Sequence, residues 1–85
     1  MYTVTLSRHA ARSLRRIEGK QREVIRGRID ILARDPRDPR LDVRKLVGRE
    51  GYRLRVGDWR VLYDIDDAVR VIAIEDVVQR GKAYR

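Results

Sequence analysis

The stretch from Gly51 to Tyr63 constrains this chain more than any other part of it. Tyr52, Leu54 and Val56 alternate with Arg53 and Arg55, the period-two signature of a strand with one apolar and one polar face. Gly57-Asp58 follows at once, a two-residue hairpin turn of the kind that needs glycine first. The chain then returns from Trp59 to Ile65 in a strand that is apolar at most positions and interrupted by Arg60. Asp66-Asp67 turns it again, and Val69 to Ile74 reads as a third strand. The second half is therefore an antiparallel meander. If its apolar set packs inward, Arg53 and Arg55 face away from the core.

The first half switches period. Tyr2, Val4 and Leu6 alternate with Thr3 and Thr5 as a short half-buried strand. Ser7 is positioned as the N-cap of a helix reaching about Ile17, with Ala10, Ala11, Leu14 and Ile17 on one face. Gly19 reads as its C-terminal stop. A second helix spans about Lys20 to Arg34, with Val24, Ile25, Ile29 and Leu32 inward. Asp35-Pro36 ends it, because proline disfavours helical geometry in the residue before it. Residues 35–50 hold both prolines and read as an irregular crossing segment, and Val77 to Arg85 as a short basic tail. The expected architecture is α+β, in the order β-α-α-β-β-β, with a helical hairpin on one face of a small, mainly antiparallel sheet. Eighty-five residues make one domain over 1–85.

Charge decides what such a domain can bind. Charged residues are 40% of the chain and the net charge is +8, nearly all of the positive side being arginine. Arginine's planar fork of donors suits phosphate recognition. The charge is segregated: residues 44–63 carry six basic and two acidic side chains, residues 64–76 one and five. On the first helix, Arg8, Arg12, Arg15 and Arg16 lie away from the apolar face, either as a solvated surface or as a docking stripe for an RNA backbone. Arg53 and Arg55 are a stronger signal. Same-face arginines repel, and the facing strand offers Arg60 in place of a carboxylate.

With no cysteine there is no disulfide, thiolate zinc site or cysteine nucleophile. The acidic residues of 64–76 lack a matching histidine set, so no metal or other cofactor is expected. There is no signal-peptide pattern and no apolar run of membrane-spanning length, so a cytoplasmic protein without a membrane partner is expected.

The element order, together with Lys45-Leu46-Val47-Gly48 leading into Gly51–Tyr63, resembles the RelE/ParE toxin superfamily of bacterial toxin–antitoxin systems. The ending, Val78-Gln79-Arg80 followed by Ala83-Tyr84-Arg85, is similar to the RelE branch. That resemblance implies a ribosome-dependent endoribonuclease that cuts messenger RNA and so inhibits translation. It implies a cognate antitoxin that wraps the toxin through an acidic or amphipathic segment, and contact with operator DNA only through that antitoxin. It also implies catalytic roles for Arg53, Arg55, Arg60, Arg80 and Tyr84, and RNA contacts from Lys45, Lys82 and Arg85 beside the helical arginines. ParE-like relatives, which poison DNA gyrase, generally lack the tail tyrosine. A gyrase poison and a weakly catalytic corepressor are the alternatives.

One departure from the family pattern matters. Arg53 and Arg55 stand where lysines are common, and a guanidinium does not give up its proton near neutral pH. Cleavage by the RNA's own 2′-OH needs a base, charge stabilisation and an acid. The arginines suit the second task. Tyr84 is the candidate for the first, as general base or stacking orienter, because neighbouring guanidiniums favour a phenolate. Glu50 is a weaker candidate base, with pairing to Arg49 or Arg53 as its simpler role. His9 is expected at the surface, and Trp59 as an anchor at the core edge.

Overall fold

The computed structural model describes residues 1–81. Seven elements follow in chain order: β1 (Thr3–Leu6), α1 (Arg8–Arg16), α2 (Gly19–Arg34), β2 (Asp42–Lys45), β3 (Tyr52–Val56), β4 (Trp59–Asp66) and β5 (Val71–Gln79). The strands form one sheet in the order β1-β5-β4-β3-β2, parallel between β1 and β5 and antiparallel elsewhere. Both helices pack on one face. The α+β class, the helical layer and the mainly antiparallel sheet are as the sequence predicts.

The helices begin where their caps dictate. Ser7 Oγ accepts from Ala10 N at 2.9 Å while its hydroxyl donates to Glu75 O at 2.6 Å, so one side chain caps α1 and ties it to β5. Gly19, expected to stop α1, instead opens α2. Its predecessor Glu18 is the cap, accepting from Lys20 N and Gln21 N at 2.9 and 3.3 Å, and the break lies at Ile17, whose backbone is extended. Ile25, Ile29 and Leu32 are buried as expected, but Val24 is 53% exposed. It sits one residue, about 100° of helix, from Ile25 and so leaves the buried stripe. The two helices meet at their junction, where Arg22 Nη1 lies 3.4 Å from the carbonyl oxygens of Arg15 and Ile17. A groove of about 640 Å³ runs between them, lined by the apolar Val4, Leu6, Leu14 and Ile29 and by Arg15, Arg22 and Arg26.

Three further corrections concern the sheet. The supposed irregular crossing contains β2, whose Val43 and Arg44 lie opposite Leu54 and Arg53. Its pairing comes from β3 rather than from a pattern of its own. Val69 does not begin a strand: it is 65% exposed in the β4–β5 turn. Asp66 Oδ1 accepts from Ala68 N and Val69 N and so holds both in that turn, and Arg70 leaves it at φ 57°. Finally, Val77 to Gln79 are not tail but the last part of β5, paired with Val61 to Trp59.

The core lies between sheet and helices. Leu54, Val61, Tyr63, Ile72 and Ile74 meet Ile25, Ile29 and Leu32, all buried. Each such side chain contributes roughly 1.5–3 kcal/mol by leaving water. Gly51 permits this packing at one tight point. Its φ is +107° and a Cβ there would stand 3.0 Å from Tyr63 O, so only glycine fits. The N-terminus is pinned by Tyr2, whose hydroxyl donates to Asp67 and whose ring lies under the Arg70 guanidinium at 4.7 Å.

Candidate nucleic-acid face

Strand register fixes which side chains share the face opposite the helices. Leu54 pairs with Val61 and Tyr52 with Tyr63, and these point to the core. By alternation Arg53, Arg55, Arg60 and Leu62 point the other way. Arg55 and Arg60 are direct cross-strand partners. Gly57, at φ +59°, makes the tight turn that brings them together, as the sequence predicts.

The arginines of this face are held differently. Arg55 is exposed and Arg53 half-buried. Arg60 is only 7% exposed, and its Nη1 donates to Gly57 O at 3.2 Å and Trp59 O at 3.1 Å. Its guanidinium thus folds back onto its own hairpin and braces the turn. Beside it on β4, Leu62 is 2% exposed although it faces away from the core.

Arg80 N donates to Asp58 O at 2.6 Å. That bond places the start of the tail at the hairpin end of the sheet, the end that carries Arg55 and Arg60. Tyr84, Lys82 and Arg85 lie outside the described residues. The other predicted contacts are not gathered here. Arg8, Arg12, Arg15 and Arg16 are exposed on α1, which belongs to the helix layer and packs on β5. Lys45 is exposed but pairs with Tyr52, so it projects to the helix side.

Sequence reasoning missed Arg44. It is exposed on β2, directly opposite Arg53 and on the same face. The only signal for it was the short alternation of Leu41 and Val43 with charged neighbours, visible as a strand only once β3 is in place. Acidic groups bound the patch: Asp42 lies opposite Arg55, while Asp64 and Asp66 continue the same face of β4 beyond Leu62. Among the described residues, Arg44, Arg53 and Arg55 form no ion pair within 4.0 Å.

The remaining candidates take modest positions. Glu50 is exposed and, among the described residues, pairs with neither Arg49 nor Arg53. His9 is at the surface, its side chain 69% exposed and its Nε2 3.3 Å from Asp76 Oδ2. Trp59 is half-buried against the core, with Nε1 donating to Gln21 Oε1 at 3.3 Å. Tyr63 stacks on Tyr52 at 5.7 Å, and burial, then the neighbouring Tyr52, raise its phenol well above the usual range. It is no proton acceptor. Among the described residues no three carboxylate, imidazole or thiol groups converge as metal ligands would.

Known proteins share this fold. The family model described as the ParE toxin of the type II toxin–antitoxin system parDE matches residues 4–84. The RelE of an archaeal RelE–RelB complex from Pyrococcus horikoshii OT3 is 30% identical, with a TM-score of 0.82 over 96% of this chain and 98% of that one. The toxin–antitoxin complex RelBE2 of Mycobacterium tuberculosis gives 29% identity and a TM-score of 0.76, over 93% and 98% of the two chains. The intact RelBE complex of E. coli, at 19% identity and a TM-score of 0.79 over 98% and 100%, shares the fold. No curated protein sequence matches. With the family model spanning nearly the whole chain and RelE structures alike in fold and sequence, the chain belongs to the RelE/ParE superfamily of type II toxins, on its RelE-like branch.

Proposed function

We propose that this toxin is a ribosome-dependent messenger-RNA endoribonuclease. The observation that carries the reading is the group Arg44, Arg53 and Arg55 on the face away from the helices, none of them in an ion pair within 4.0 Å among the described residues. Like charges directly opposite cost stability. A polyanion lying on that face would supply countercharge to Arg44 and Arg53, which stand directly opposite each other. Fixed guanidiniums aimed at a phosphate stabilise the charge that develops when a 2′-OH attacks it. In that reaction the 2′-oxygen–phosphorus bond forms and the phosphorus–5′-oxygen bond breaks. A base takes the hydroxyl proton and an acid returns one to the leaving oxygen.

Arg53, Arg55 and Arg60 supply charge, Arg60 also holding the hairpin rigid. Arg80 clamps the phosphate from the start of the tail. Tyr84 serves as general base or as the stacking platform that orients the nucleotide. The partner that silences the toxin is a cognate antitoxin, as in the RelE–RelB complexes of its relatives. The groove between α1 and α2, lined by apolar side chains and arginines, fits an acidic amphipathic segment of that antitoxin.

The test is inducible expression followed by primer extension on ribosome-bound messages. Codon-phased cuts that persist with chelator and vanish in Tyr84→Phe and Arg80→Ala are expected. Intact messages alongside blocked DNA supercoiling would move the protein to the gyrase-directed branch.

A further inference from the structure

The β2 edge adds Arg44 to the face, a residue that the catalytic reading does not use. Arg44 and Arg53 are direct register partners on β2 and β3, and Arg55 lies two residues along β3 on the same side. Adjacent strands stand about 4.8 Å apart and same-face neighbours roughly 7 Å apart along a strand. The three guanidinium stems therefore rise from one small patch. Arg44 and Arg55 are exposed, and among the described residues none of the three is in an ion pair. Within the same face, Asp64 and Asp66 fill the opposite end of β4, and Asp42 sits across from Arg55 at the outer edge. The face is thus polarised along its strands. A polyanion is attracted to the hairpin end and repelled from the other.

We propose that Arg44 and Arg53 form a phosphate seat at the β2 edge for a single-stranded nucleic-acid backbone, with Arg55 on the next phosphate. The Asp64–Asp66 end fixes which way the strand lies. Arg44 is the positioning residue of the seat and Arg53 serves both the seat and the proposed charge stabilisation; the seat rests on the reading of this face as a nucleic-acid surface. Asp42 narrows the path: it excludes phosphate from the corner beside Arg55, so the backbone crosses the edge at Arg44.

The experiment is a fluorescence-anisotropy titration of the full chain with a labelled single-stranded oligodeoxythymidylate, which has no 2′-OH and is not cut, across a salt series. Arg44→Ala is expected to weaken binding about tenfold, as for loss of a hydrogen bond to a charged group. It should also flatten the log–log salt dependence by about 0.7, the value for one phosphate contact on a single strand. Arg44→Lys should restore most of the slope, Arg34→Ala on α2 should change neither quantity, and Asp64→Asn with Asp66→Asn should tighten binding. Circular dichroism of each variant checks the fold.

Binding by Arg44→Ala that matches the wild type overturns the seat, and if Arg53→Ala still binds weakly the catalytic reading survives it. No saturable binding by the wild type at low salt also overturns the seat, leaving ribosome-bound cleavage to its own test. Displacement of the oligonucleotide by poly-glutamate at equal charge would overturn it as well and assign the patch to an acidic protein. Binding that behaves as expected while messages stay intact in cells would keep the seat and remove the nuclease.

Discussion

The two faces of the β2–β3–β4 part of the sheet are made by the same strands and obey opposite rules. On the helix side, Leu54, Val56, Val61 and Tyr63 are buried together, and every neighbour improves the fit of the next. On the other side Arg55 meets Arg60, and Arg44 meets Arg53, as like charges in direct register. One face is solved within the chain. The other sets like charges beside one another, and under the proposed function a ligand binds there. Substitutions on the two faces should therefore differ in the sign of their effect on stability and not merely in its size.

The largest effect should come from the solved face. Leu54→Ala is expected to cost about 2–5 kcal/mol, because Leu54 is fully buried and a cavity remains. Chemical denaturation measures it, and a loss below about 1 kcal/mol would mean that the sheet recloses and that this face is less exactly packed than it looks. One residue along, Arg55→Thr should do the reverse. It removes a like-charge pair from an exposed strand position and should leave stability unchanged or raise it by up to about 1 kcal/mol. If the proposed chemistry holds, cleavage falls about a hundredfold in the same variant. A destabilised Arg55→Thr would break the comparison.

A smaller effect probes the core's one polar flaw. Tyr63 Oη is buried without a hydrogen-bond partner among the described residues. Tyr63→Phe should be neutral or stabilising by up to about 1 kcal/mol, since a buried unsatisfied hydroxyl is lost. A loss of that size would show that the hydroxyl has a partner on which the packing of the helix-side face depends.

The smallest effect lies away from both faces and sets their baseline. Arg40's side chain, then its backbone N–H, hold the Asp38 carboxyl down to about 2. A depressed carboxylate favours the fold above its unfolded value near ~4 and ceases to as pH falls through about 2. The difference in melting temperature between wild type and Asp38→Asn should thus be small, constant above pH ~4, and gone near pH 2. A difference growing toward acid would reverse the assigned cause.

Much of this was legible in residue order because its causes are local. The Gly57 turn sets register at once, so the arginine face followed from alternation alone. Ser7 and the Ile25–Leu32 stripe announced the helices. What was not legible depends on distant neighbours. β2 has a single apolar residue, Val43, and exists because β3 offers an edge. With β2 unseen, Arg44 could not be placed. Arg60 counted as one more free charge, although carbonyls of its own turn hold it. Val69 looked like a strand residue because its own side chain is β-branched, but the Asp66 carboxylate decides its backbone. Tyr84 lies outside the described residues, so the proton-accepting half of the proposed chemistry rests on sequence alone.

The sheet order carries a consequence for synthesis. β5 comes last in the chain among the strands yet lies between β1 and β4. A growing chain can form the β3–β4 hairpin early, but β1 has no partner until β5 emerges, nearly seventy residues later. Such a long closure is slow and brings little reward until it completes. A truncated product would lack an interior strand of its sheet and the tether from Arg80 to the hairpin. For a protein proposed to act on ribosomes, that order ties the arming of the fold to the making of its last strand: until β5 exists, β1 and the arginine-bearing hairpin cannot share one sheet.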